Sequence, residues 1–201
     1  MLAFRAIREI MNIALRKSMT LEQFLAWEIR QELRYEFDGV QPVAMNGVRV
    51  EHAIIESNLA LALGNRLKGK PCRAFGSNLK IEVAGRIRYP DAFVVCTPIP
   101  PGAYVVRDPV VVFEILSPTT SHTDLVLKTA EYHATPSILR YVILEQTHAG
   151  AQVFSRRGAD WIAETVKDDD VLRLPEIGIE IPLPEIYADV ALEPDADEPP
   201  P

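Results

Sequence analysis

Residues 89–96 read YPDAFVVC, residues 110–118 read VVVFEILSP and residues 125–132 read LVLKTAEY. The first two are short, β-branched apolar runs bounded by proline and glycine, the pattern of strands buried on both faces. Each carries one acid: Asp91 near the start of the first run, Glu114 inside the second. A carboxylate in such a strand is costly unless a cation or hydrogen bonds compensate it. The third run reads as a helix from about Leu125 to His133, with Lys128 and Tyr132 four residues apart and therefore on one face. The stretch supplies acid, acid and base in that order.

Working outward, MTLEQFLAWEIRQELRYEF predicts a helix capped by Thr20, with Gln23 as its capping-box partner, ending before Tyr35. Asp38-Gly39 marks a turn, and Glu36 stands just ahead of it. Asn46-Gly47 between QPVAM and VRVEH is a hairpin signal. A second helix follows from His52, with Ile55, Leu59, Leu63 and Leu67 on one stripe and Gly69 as its stop. His52 at its start is a cap, a surface residue or an accessory site residue. CRAF, LKIEV and RYVILEQ read as further strands, and Gly158 as the turn of a hairpin. Prolines in VLRLPEIGIEIPLPEIY suggest short edge strands. Helices before and between strands of a mixed sheet indicate one α/β (α+β) domain. We expect an N-terminal extension over residues 1–18, the domain over 19–190, and a disordered acidic, Pro-rich tail over 191–201.

A length of 201 residues, 48% of them apolar, suffices for one substantial core. No run approaches the roughly 20 apolar residues of a membrane helix. Cys72 and Cys96 are too few for a disulfide framework or a zinc quartet, so two reduced thiols in a cytoplasmic protein are expected. The net charge of −7 argues against a strongly nucleic-acid-binding surface, which needs Lys and Arg against phosphates. Part of that charge is local: the tail after Leu192 carries four acids and no base. Glycine-rich phosphate loops, a nucleophile elbow and zinc-type histidine spacing are all missing from the sequence.

Magnesium prefers oxygen ligands and commonly binds through one or two carboxylates, water and substrate phosphate. Asp91 and Glu114 suit that role, with the Ile115 backbone carbonyl as a third oxygen. An ion held there would polarise a phosphoryl oxygen and acidify water, with a nearby lysine stabilising developing charge. The alternative is structural: Asp91 opens a strand after Pro90, Glu114 pairs with a buried base, and Lys128 is solvated.

RYEFDG, HAIIESNLALAL, YPDAFVVC, VVFEILSPTT and the K-x-x-x-Y of Lys128 and Tyr132 together resemble the bacterial Uma2 family of restriction-endonuclease-like proteins, in matching order from about Met19 to Tyr187. That family is assigned to the PD-(D/E)XK nuclease superfamily. The resemblance implies a central mixed sheet flanked by helices and Mg2+-dependent hydrolysis of phosphodiester bonds, with Mn2+ as a substitute. It implies Asp91 and Glu114 as metal ligands and Glu36 as a supporting acid. Two departures stand out. The superfamily lysine two residues after the second acid is Leu116 here, so Lys128 on the following helix takes its place; and Asn78 stands where an aspartate is expected. Lys80, the other candidate base, alternates with Leu79 and Ile81 and is expected to face away from their buried side.

The resulting expectation is a cytoplasmic endonuclease acting on nucleic acid, DNA in the first place, and a homodimer by analogy with enzymes that cut both strands. Its rival is a catalytically silent nuclease fold serving as a binding or regulatory module. The acidic charge favours the rival; the coexistence of two acids and a lysine favours the enzyme.

Overall fold

Alternation along the apolar runs becomes two buried faces of one sheet. The computed structural model describes residues 18–45, 47–116 and 122–192, with side chains from 125 onward in the last stretch. The expected extension and acidic tail therefore fall almost wholly outside the described residues.

Helix α1 (Leu21–Glu28) starts on the expected capping box, Thr20 and Gln23 each accepting the other's backbone N–H. It stops at Glu28 instead of running on to Tyr35. Ile29 and Leu33 are exposed, so no apolar stripe continues to be buried and further turns have nothing to pack against. Strands β1 (Tyr35–Phe37) and β2 (Pro42–Ala44) then pair antiparallel. Their turn lies at Asp38-Gly39, where Asp38 Oδ1 accepts the N–H groups of Val40 and Gln41 at 2.8 and 2.7 Å. The hairpin expected at Asn46-Gly47 is thus corrected: the chain beyond it enters helix α2 (Val50–Leu67) instead of a second strand. Asn46 itself lies outside the described residues.

After α2 come β3 (Arg73–Gly76), β4 (Lys80–Val83), β5 (Arg86–Arg88), β6 (Ala92–Val95), β7 (Val105–Val106) and β8 (Pro109–Leu116). Helix α3 (His122–Ala134) leads to β9 (Arg140–Glu145), β10 (Gly150–Arg157), β11 (Asp160–Lys167), β12 (Val171–Leu174), β13 (Ile179–Pro182) and the short α4 (Leu183–Ile186). Among the described residues the main sheet has the order β11-β10-β9-β8-β6-β3, and a smaller one the order β2-β1-β5-β4-β7. Only β8 and β9 run parallel in the main sheet, joined by the α3 crossover. This is the mixed, helix-flanked sheet that the sequence implies.

Val94, Val111, Phe113, Val142 and Leu144 point to the α2 side and pack with Ile55, Leu59 and Leu63. Their neighbours Phe93, Val112, Tyr141 and Ile143 pack on the α3 side with Tyr132 and Ile138. Burial on both faces is why these strands are continuously apolar.

Arg73 pairs with Val95 across β3 and β6, so the next rung sets Cys72 against Cys96. The two form a disulfide, with Cα atoms 3.9 Å apart. The expectation of two free thiols is corrected: cross-strand register makes neighbours of residues 24 apart in sequence.

Candidate active site

The β6–β8 register pairs Ala92 with Phe113, and one further step sets Asp91 opposite Glu114 at the mouth of the sheet. The strand ladder gives way there to a side-chain bond: the Ile115 N–H donates to Asp91 Oδ2 at 2.6 Å. Asp91 Oδ1 meets His52 Nε2 at 3.0 Å. The first turn of α2 thus closes one side of the site, and β8 the other.

Glu114 faces α3. The Tyr132 hydroxyl donates to its Oε1 at 2.6 Å, and Lys128 Nζ lies 3.3 Å from its Oε2. Lys128 also stands 3.5 Å from Glu36 Oε1, so the lysine bridges two carboxylates. Lys128 and Tyr132 serve the same acid because they are one helical turn apart. Glu36, on β1, is held in turn by Arg88 Nη1 and the Tyr89 N–H, both at 3.1 Å. Arg88 is fixed by a bidentate pair with Glu131 of α3, both bonds 2.7 Å. That fork ties the small sheet to α3 and sets where Lys128 can stand.

Electrostatics follow from burial. Glu114 is pushed up to about 7: desolvation dominates, Asp91 and Glu36 add repulsion, and Lys128 and the Tyr132 bond only partly offset them. Burial raises the Tyr132 phenol well above its usual range, reinforced by the negative charge of Glu114, so it stays a proton donor. For His52, burial pulls downward, but the hydrogen bond and charge of Asp91, with Glu56 and Glu114 behind, outweigh it and the imidazole is raised.

Each residue singled out from the sequence has a definite place. Asp91, Glu114, Lys128, Glu36, Tyr132 and His52 are brought together, and Ile115 enters through its backbone N–H. Lys80 is elsewhere: it is buried in an ion pair with Glu28, whose other oxygen accepts the Tyr89 hydroxyl at 2.8 Å. Its own side, expected to lie away from the buried side of Leu79 and Ile81, is buried too, against Glu28 of α1. Asn78 also lies outside, its Oδ1 accepting from Arg34 at 2.7 Å. Sequence reasoning missed Glu56, Arg88 and Glu131. Glu56 carried a usable signal, one helical turn after His52. Together His52, Glu56 and Asp91 present ligand atoms all within 4.8 Å of one another.

The structure is thus an α+β fold whose mixed sheet carries two acids on adjacent strands, with a lysine on the crossover helix. The chain belongs to the Uma2 family, whose model, described as "Putative restriction endonuclease", matches residues 21–184. An uncharacterized protein of Synechocystis, slr1290, is 29% identical over 174 residues, covering 85% of this chain and 92% of that protein. Among solved structures, one from Anabaena variabilis described as "a putative nuclease belonging to DUF820" superposes with a TM-score of 0.71. The match covers 85% of this chain and 98% of that one at 18% identity, a likeness of fold. No helix among the described residues is long and apolar enough to cross a membrane.

Proposed function

We propose that the chain is a divalent-metal-dependent endonuclease that hydrolyses phosphodiester bonds of nucleic acid, DNA first. The observation that carries this reading is Glu114: a part-buried carboxylate set opposite Asp91, with Lys128 and Tyr132 on its two oxygens. The donor set fits a hard cation. Desolvation first, then repulsion from Asp91 and Glu36, raises Glu114, and a dication would relieve that cost as a proton otherwise does. Asp91, Glu114 and the Ile115 carbonyl would hold Mg2+, or Mn2+ in its place. Such an ion supplies Lewis-acid polarisation of a phosphoryl oxygen and a more acidic water.

The protein's own groups then have separate tasks. Tyr132 keeps the Glu114 carboxylate in one rotamer. Glu36 and the Arg88–Glu131 fork hold the base of Lys128's reach. Lys128, held between Glu114 and Glu36, would orient water or offset charge growing on the phosphate if Glu114 held a cation. A small cleft lined by Glu114, Leu116, Leu125, Lys128 and Tyr141 opens beside these groups. By analogy with enzymes that pair two sites to cut both strands of a duplex, the proposal extends to a homodimer.

The net charge of −7 favours a second reading, a silent nuclease fold used for binding or regulation. Plasmid DNA incubated with purified protein in Mg2+ or Mn2+, against chelator, separates the two. Nicking that needs metal and disappears in Glu114→Gln supports the enzyme. Metal-induced stabilisation without cleavage, under every metal and substrate tried, supports the silent module.

A further inference from the structure

We propose that the apolar groove beside Glu114, on the α3 face of the main sheet, receives one unstacked nucleobase carrying an exocyclic amino group, so that the substrate is an unpaired strand. The proposal rests on the endonuclease reading of Asp91 and Glu114 and narrows its substrate.

Three features lead to it. The first is where the groove lies. Leu116, Ile143 and Phe154, on β8, β9 and β10 in turn, form its floor, and Leu125 and Val126 of α3 form its wall. It shares Leu116, Leu125 and Ile143 with the small cleft at Glu114 and Lys128, so the two are continuous. Strand register sets the distance: Ile143 stands opposite Glu114, and Gln152, on the far side of the groove, opposite Ile143. That far side is therefore two strand spacings, roughly 10 Å, from the acid. A phosphate beside Glu114 and Lys128 brings the base attached to it within that reach.

The second is size and lining. The volume of about 380 Å3 falls in the range of sites that take small ligands, roughly 300–1,000 Å3. The lining is chiefly apolar, and Val126 is 52% exposed. Phe154 supplies the aromatic surface on which bases of single strands stack. Glu145 also lines the groove, opposite Leu116. An ionised carboxylate only accepts hydrogen bonds, so it suits the amino group of cytosine and repels the O4 of thymine or uracil.

The third is charge. The chain carries −7, and the groove lining holds an acid and no base. Duplex DNA presents one charge per roughly 1.7 Å and keeps its bases stacked, so a protein of this charge gains little from it. An unpaired strand frees its bases, and the groove draws affinity from them instead.

Fluorescence anisotropy with labelled strands of about ten nucleotides tests this on the full chain. Binding is read at pH 8 in Ca2+, which takes oxygen ligands, with gels checking that the strands stay intact. We expect an oligo-dC strand to bind at least tenfold tighter than its duplex with oligo-dG, and about fivefold tighter than oligo-dT. A parallel oligo-rC arm tells which sugar the site takes, and tighter binding of either strand than of duplex supports the proposal. Val126→Glu, which sets a charge at an exposed position of the wall, should weaken single-strand binding at least tenfold with the melting temperature unchanged. Glu145→Gln should erase the preference for dC over dT. Duplex bound as tightly as single strands, no binding of any strand, or wild-type affinity in Val126→Glu overturns the proposal. Equal affinity for dC and dT in the wild type overturns the choice of base. If Val126→Glu instead turns a dimer into a monomer at unchanged oligonucleotide affinity, the groove seats a second copy and the base site falls. If Mg2+-dependent cleavage requires Glu114 but treats duplex and single strands alike, the base site falls and the endonuclease reading stands. If the single-strand preference holds and no metal gives cleavage, the base site stands and the assigned reaction falls.

Discussion

Replacing Glu114 by Gln is the perturbation whose outcome the structure sets most closely. Glu114 titrates near 7 in the folded chain, against 4.5 for an unhindered glutamate. Between those values the unfolded chain has released the proton and the native chain still holds it. The unfolded state then binds fewer protons, so stability falls as pH rises through this window. The raised His52 acts in the same direction, since its charged form favours the fold at low pH and is lost as pH rises through its folded value. A shift from 4.5 to about 7 corresponds to roughly 3 kcal/mol by pH 8. Glutamine removes that cost but must turn an amide NH2 towards Lys128, so a gain of about 2 kcal/mol is expected, roughly 4–8 °C in melting temperature for a chain this size. At pH 5, where the wild type is protonated, the gain should vanish. Metal inverts the comparison. Cation and proton compete for one carboxylate, so Mg2+ stabilisation of the wild type should grow about tenfold in apparent affinity per pH unit up to 7 and then level off. Glu114→Gln should show little Mg2+ stabilisation at any pH. Thermal melts in chelator and in graded Mg2+, from pH 5 to 8.5, measure both effects. A variant that melts with the wild type at pH 8 in chelator, or a metal response independent of pH, refutes the reasoning.

The two lysines should separate. Lys128→Met is expected to leave metal binding nearly intact and to cut turnover about 100-fold or more, as when a charge-stabilising group is lost. Lys80→Met should instead cost about 3–5 kcal/mol, because it strands Glu28 in the interior, with little change in turnover per folded molecule; urea unfolding alongside kinetics reads both. If Lys80→Met proves inactive while folded and Lys128→Met stays active, the assignment of the base is wrong. Arg88→Met removes the fork that Glu131 and Glu36 share, leaving Arg86 beside Glu131 and Lys128 beside Glu36, and should destabilise by about 2–3 kcal/mol; an unchanged urea midpoint would refute it. Truncation after Leu192 should leave the melting temperature unchanged, since EPDADEPPP carries little apolar surface to dock; a drop of several degrees would mean the tail packs.

The apolar runs around Asp91 and Glu114 declared themselves in the sequence because a strand buried on both faces has no room for polar alternation, and an acid within one stands out. The one-turn spacing of Lys128 and Tyr132 was legible because it is a local relation along one element. So was the capping box at Thr20. What tertiary structure decided was every relation between elements. The end of α1 at Glu28 depends on what packs against it, and the Asp38-Gly39 hairpin prevailed because a strand partner exists for residues 35–37 and none for the chain after Gly47. Cys72 meets Cys96, Arg88 bridges to Glu131, and Lys80 finds Glu28 only through sheet register and helix docking. His52 shows the boundary most clearly. Its spacing to Glu56 is written in the sequence, but its approach to Asp91 is made by folding α2 over the end of β6, a contact between residues 39 apart.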